Sequence, residues 1–230
     1  MKTIGLLGGM SWESTQIYYR LLNEGVRRRL GGLHSARVAI ISVEFAEIEG
    51  FQRDGRWDLA ATTLVDAAQQ LERAGADFLV ICSNTMHKVA PEIERAVDLP
   101  LLHIADVTAD RIGDQGLRAV GLLGTRSTME EVFYIDRLRG RHRLEVLVPP
   151  LDDRRLVDRV IFEELCVGTL REESRAEYRR VMRDLVERGA EGIIAGCTEI
   201  GALVTAEDAG VALFDTTRIH ADAAVARALS

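Results

Sequence analysis

Lysine is almost missing from this chain. Only Lys2 and Lys88 occur, so nearly all the basic charge is arginine. An enzyme that works through pyridoxal phosphate needs a Schiff-base lysine. Lys2 opens the first apolar run, at the wrong end of the expected sheet, which leaves Lys88 alone. Cysteine is scarce too: Cys82, Cys166 and Cys197 are odd in number and widely spaced, which excludes a disulfide framework. No group of residues has metal-ligand spacing. No apolar run approaches the roughly 18–20 residues of a membrane span. The opening MKTIGLLGGMSWES reaches Gly-Gly and polar residues too soon for a secretion signal. A soluble, cytoplasmic protein with reduced thiols is expected.

Positive charge is not in excess either. The net charge is −7, which argues against nucleic acid as the main partner. The most basic stretch, RLRGRHR at 137–143, is short and has no aromatic residues within it. It reads as a solvated helix end or loop, with small-anion binding as the other reading.

What is present is an ordinary globular mixture, 47% hydrophobic and 28% charged over 230 residues. That is enough for one large domain or two small ones. Short apolar runs alternate with longer helical patterns. TIGLLGG (3–9), RVAIISV (37–43) and DFLVIC (77–82) read as strands. WESTQIYYRLLNEGVRRRL (12–30) puts Ile17, Leu21, Leu22 and Val26 on one helical face. WDLAATTLVDAAQQLERAG (57–75) is amphipathic, with Gly75 as a stop signal. Such alternation predicts right-handed crossovers and a mostly parallel sheet.

The pattern then starts again. IGLLG (4–8) returns as VGLLG (120–124), and GADFLVICSNT (75–85) as GAEGIIAGCTE (189–199). PLLHIADVT (100–108) has a looser echo in VALFDTTRI (211–219). Three matches in one order predict an internal repeat, two α/β halves of about 100 residues each. The expected fold is α/β: two similar three-layer α/β/α domains with mostly parallel sheets, related by a pseudo-twofold, with an active-site cleft between them.

Carried on without a gap, the second match pairs Cys82 with Gly196 and Ser83 with Cys197. Ligands of parallel sheets sit beyond the carboxyl ends of the strands, and Ser83 and Cys197 both fall there. Amide groups at the following helix starts favour a carboxylate. Two groups on opposite sides of a bound carbon can take a proton from one face and return one to the other, which inverts the centre. A cysteine suits this work, because a helix N-terminus lowers its pKa from about 8.5 toward neutrality.

With these residues placed, the chain resembles the aspartate/glutamate racemase superfamily, and within it the broad-specificity amino-acid racemases of bacteria. The resemblance is carried by MKTIGLLGGMSWEST (1–15), CSNTMHK (82–88), LLHIAD (101–106), IFEELC (161–166) and GCTEIG (196–201). It implies racemisation of aspartate, glutamate or a broader range of amino acids, by proton abstraction and return at the α-carbon. It implies that no cofactor takes part and that two cysteines act, one in Cys-Asn-Thr and one in Gly-Cys-Thr-Glu. It also implies a homodimer of two similar domains with exchanged fourth strands: 1–99 plus 214–230, and 100–213.

The chain departs from that pattern once. Where the resemblance puts the first cysteine, immediately before Asn84, stands Ser83, and Cys82 lies one residue earlier. One step along a strand turns a side chain to the other face, so Cys82 is expected in the core. Ser83 is a poor base that can still hydrogen-bond the substrate carboxylate or pass a proton through water. Cys197 is then the competent base, which the resemblance assigns to the L-enantiomer. The lone thiol keeps open a decarboxylase of malonate-type acids, a kind found in the same superfamily, and a carboxylate-binding protein without catalysis. GLLGGMS is not G-x-G-x-x-G, which argues against a dinucleotide-binding dehydrogenase, although Glu44 after the second strand imitates its ribose-binding acid.

Substrate contacts are expected from Met10 and Ser11 in the first loop, from Asn84 and Thr85, and from Thr125, Thr198 and Glu199. Glu199 is also placed to orient Cys197 or bind the ammonium. Gln52 stands where relatives specific for acidic substrates carry an arginine, which suits a broader range; Arg53 is the alternative anchor. Cys166, His87 and His103 read as core or helix residues.

Overall fold

The computed structural model describes residues 1–230. The chain divides into two compact units, Met1–His103 with His220–Ser230, and Ile104–Ile219.

In the first unit, β1 (Ile4–Gly8), β2 (Val38–Ser42) and β3 (Phe78–Ile81) form a parallel sheet in the order β2-β1-β3. Helices α1 (Trp12–Leu30), α2 (Phe45–Arg53), α3 (Trp57–Arg73) and α4 (Ala90–Ala96) belong to this unit, as does a 3₁₀ turn at Thr85–Val89. Side chains alternate across a strand, and β1 and β3 use both faces. Ile4, Leu6, Phe78, Val80 and Cys82 pack with Tyr18, Leu22 and Val26 of α1. Leu7, Leu79 and Ile81 pack with Leu64, Ala68 and Leu71 of α3 and Ile93 of α4. Helices therefore cover both faces, as a parallel sheet requires.

The second unit holds α5 (Ile104–Gly113), β4 (Ala119–Gly124), α6 (Arg126–Glu130), α7 (Val132–His142) and β5 (Glu145–Leu147). These are followed by α8 (Leu151–Glu163), α9 (Glu172–Glu187), β6 (Gly192–Gly196), α10 (Ile200–Leu203), α11 (Ala206–Ala209) and β7 (Ala212–Asp215). Its sheet is parallel, in the order β5-β4-β6-β7. Val120, Leu122, Ile193 and Ile194 pack in one core with Tyr134, Tyr178 and Leu185. The last helix, α12 (Thr216–Leu229), starts in this unit; its residues from His220 on belong to the first.

The sequence repeat is a repeat of topology. β1 and β4 take the same place, as do β2 and β5, and β3 and β6. Leu101 bridges to Leu79 as Leu213 pairs with Ile193. The expected exchange of fourth strands is not found, because Leu101 stays with the first sheet and β7 with the second. After α4 the chain runs beside β3, where Leu101 meets Leu79. Pro100 has no N–H to extend a ladder. The contact is a single bridge, in which Leu79 N–H donates to Pro100 O and Leu102 N–H to Leu79 O.

Candidate active site

The first cluster of expected site residues sits at the carboxyl ends of β1 and β3. Gly9 follows β1 with φ +88°, and a Cβ there would lie 2.1 Å from the Val43 carbonyl oxygen, so this left-handed position needs glycine. Gly9 N–H donates to Thr15 Oγ1 at 2.8 Å, and that hydroxyl donates to Ser11 O at 3.0 Å. Ser11 caps α1, its Oγ accepting from Ser14 N–H at 3.3 Å, a contact typically worth about 1 kcal/mol. Met10 and Ser11 are buried in this turn.

Cys82 still belongs to the ladder, since its N–H donates to Leu7 O at 2.9 Å. Its side chain is fully buried between α1 and α12, beside Tyr18 and Ala221. Burial pushes the thiol pKa well up, which keeps it neutral and unreactive. Ser83 starts the next turn and is half-buried. Its Oγ accepts from Met86 N–H at 3.3 Å, so its own proton is directed away from that amide. Asn84 and Thr85 are buried just after it. Gln52, in the last turn of α2, donates from Nε2 to Met86 Sδ at 3.2 Å, which sets it beside the same turn. Arg53 does not join them. Its side chain is 65% exposed and pairs with Glu49 at 2.8 Å and Asp54 at 3.6 Å. Lys88 lies with its Nζ 3.7 Å over the Trp57 ring.

The second cluster is built the same way on β4 and β6. Thr125 follows β4 and caps α6, its Oγ1 accepting from Thr128 N–H at 3.3 Å. Cys197 follows β6, at the place Ser83 holds after β3, and is partly accessible. Its thiol donates to Glu199 Oε2 at 2.9 Å, and the Thr198 hydroxyl donates to the same oxygen at 2.5 Å. Thr198 and Glu199 are buried.

One expectation is reversed here. Burial first, then the Glu199 charge and Cys166, push the Cys197 pKa well above its ordinary value. The helix that should have lowered it, α10, has only 4 residues, too few aligned peptides for a strong dipole. On the Ser83 side the chain continues as a 3₁₀ turn rather than an α-helix. At rest, Cys197 is a neutral thiol held by Glu199.

Other features escaped the sequence reading. Cys166 lies in a 3₁₀ turn (Leu165–Val167) after α8, packed on the second core and within electrostatic reach of Cys197. Its neighbour Glu164 is buried and accepts the Ser174 hydroxyl at 2.6 Å. His87 and His103 are buried, as expected, but His87 also binds the Ser83 carbonyl through Nδ1 at 2.7 Å. Hydrophobic periodicity carries no signal for such a side-chain-to-backbone bond. No three His, Cys, Asp or Glu are arranged to hold a metal ion, and no helix is long and apolar enough to cross a membrane.

A sequence model described as Asp/Glu/Hydantoin racemase matches residues 7–224. The chain is 23% identical over 228 residues to the broad specificity amino-acid racemase RacX of Bacillus subtilis (strain 168), spanning 99% of this chain and 98% of that one. Among solved structures, a candidate Asp/Glu racemase from Yersinia pestis is 56% identical over 100% of both chains, with a TM-score of 0.94. An aspartate racemase homologue from Pyrococcus horikoshii OT3 is 35% identical over 100% of both, with a TM-score of 0.87.

Proposed function

The chain belongs to the Asp/Glu/Hydantoin racemase family, and from that premise we propose that it racemises amino acids by a two-sided proton exchange between Cys197, Ser83 and the α-carbon. The observation that carries this reading is the pair of equivalent strand ends. One presents a thiol hydrogen-bonded to a carboxylate, the other a hydroxyl that already accepts from one amide.

Binding of the substrate ammonium near Glu199 offsets the negative charge that adds to burial in raising the Cys197 pKa, and the thiol gives up its proton to water. The thiolate takes the α-proton; the electron pair of that C–H bond stays on carbon and is delocalised into the carboxylate. The Ser83 O–H then delivers its proton to the opposite face, and the alkoxide recovers a proton from water. In the reverse direction the hydroxyl works through water, because it is a far weaker base than a thiolate. Thr125 and Thr198, with Ser11, Asn84 and Thr85, supply hydrogen bonds to the substrate carboxylate, and Met10 shapes the apolar wall. Gln52 offers a neutral amide where a cation would select acidic side chains, which suits a broad range of amino acids. No step needs pyridoxal phosphate or a metal.

The same reading makes the protein a cytoplasmic homodimer acting on a small molecule. Its three free cysteines suit a reducing compartment. The test is Cys197→Ser, expected to lower racemisation by about 10²–10⁴-fold, the usual worth of a general base. Undiminished turnover in that variant would refute the assignment.

A further inference from the structure

The Ser83 carbonyl binds a histidine ring, whereas the Cys197 carbonyl accepts from the Ile200 N–H at 3.2 Å. A carbonyl oxygen only accepts, so the 2.7 Å contact from His87 Nδ1 to Ser83 O requires the His87 proton to sit on Nδ1. The ring is 2% exposed and is braced by others. Its centroid lies 4.5 Å from that of His103 and 5.8 Å from that of His220. His220 is itself fixed at both nitrogens. Nε2–H donates to Leu102 O at 2.8 Å, and Nδ1 then accepts the Tyr18 hydroxyl at 2.8 Å. A buried column of rings thus runs from α1 through α12 to the turn that carries Ser83.

The second unit has no such column. The register that sets Ser83 against Cys197 sets His87 against Gly201, and the pairing that sets Leu101 against Leu213 sets His103 against Asp215. Where the first unit packs two histidine rings, the second packs a glycine whose added Cβ would lie 2.9 Å from Asp215 Oδ2. Two residues beyond the reactive position the units differ as well, with Thr85 in one and Glu199 in the other. Cys197 is held by a side chain, Glu199; the Ser83 peptide is held by a ring.

We propose that His87 is a positioning residue for proton delivery by Ser83, acting through the Ser83 carbonyl. The inference rests on the racemase reading above. Ser83 Oγ takes one amide hydrogen bond, and its peptide takes one imidazole hydrogen bond, both from the turn that follows. Together they set the direction of the remaining hydroxyl proton. Misplacement by about 1 Å costs up to about 10²-fold in rate. A hydroxyl, with little chemical power of its own, depends on aim more than a thiolate does.

Exchange and inversion separate the two halves. Cys197 alone can exchange the α-proton of the enantiomer it serves for deuterium with retention, whereas inversion also needs Ser83. In D₂O, His87→Gln, which moves the donor away from the Nδ1 position, is expected to raise the ratio of exchange to inversion by about 10-fold or more. His87→Asn keeps a donor near that position and is expected to recover most of the inversion. Ser83→Ala should raise the same ratio, and adding His87→Gln to it should change the ratio no further. If His87→Gln fails to fold, lowers exchange and inversion in parallel, or matches His87→Asn, His87 is a packing residue and the inference is overturned. If Ser83→Ala leaves inversion intact, the role given to Ser83 itself fails, a different outcome from failure at His87.

Discussion

The Cys197 thiol and the Thr198 hydroxyl donate to one oxygen, Oε2 of the buried Glu199. Burial does most to hold the thiol protonated; the acid adds its charge to that and sets the thiol's direction. In Glu199→Gln the carboxylate charge that raises the thiol pKa is gone. Alkylation of Cys197 by iodoacetamide, followed against pH, is expected to shift its midpoint downward, while racemisation falls by about 10²-fold through lost positioning. An unmoved alkylation profile would show that Glu199 does not set the thiol.

The direction of that pKa also sets a pH profile. Cys197 is pushed above its ordinary value, so in the free enzyme the thiolate fraction grows as pH rises through the alkaline range. At low substrate concentration, turnover is expected to increase with pH above neutrality. A bell centred on acid pH would contradict it.

Cys82 and Ser83 are adjacent but differ in exposure and contacts. Cys82→Ala removes a small buried group from the core between α1 and α12, at a cost of about 1 kcal/mol by urea denaturation. Racemisation should persist. Loss of proton exchange in Cys82→Ala, with Ser83→Ala silent, would make Cys82 the reagent.

Gly9→Ala meets both a φ of +88° and a carbonyl oxygen 2.1 Å from the new Cβ. The backbone conformation alone costs about 1–3 kcal/mol, and the clash adds to it. Chemical denaturation is expected to show a loss at least that large.

His220 links acid to unfolding. Burial lowers its pKa from 6.5 to about 4. The neutral ring's contribution is present above pH 6.5 and is lost as pH falls through about 4, up to roughly 3 kcal/mol. Urea unfolding between these limits should show the slope, and His220→Gln should flatten it.

The strands, the repeat and the split between Cys82 and Ser83 were legible in the sequence because each rests on local order: apolar runs, matching segments, and alternation along a strand. The direction of the Cys197 pKa was not. It depends on how many residues α10 keeps after Glu199 and on how deeply the thiol is packed, neither of which leaves a pattern in GCTEIG. The unexchanged strands were missed for a related reason. The edge that Leu101 takes depends on long-range packing rather than on local order, and Pro100, without an N–H, limits that pairing to a bridge. The bond from His87 to Ser83 needed coordinates, although the contrast with Gly201 was already present in the aligned repeat.

The cofactor question has its own assay. Purified protein should lack the internal-aldimine absorbance of pyridoxal phosphate and keep its activity in EDTA. Activity lost on dialysis and restored by pyridoxal phosphate would remove the role of the thiol.

The most direct measurement is a panel of L- and D-amino acids incubated in D₂O without added cofactor, read by proton NMR at the α-carbon and by chiral chromatography, for the native chain and Cys197→Ser. The account predicts α-deuteration with inversion by the native chain, approaching equal amounts of both enantiomers, and its near loss in Cys197→Ser. No α-exchange with any amino acid, or exchange unchanged in Cys197→Ser, would contradict it.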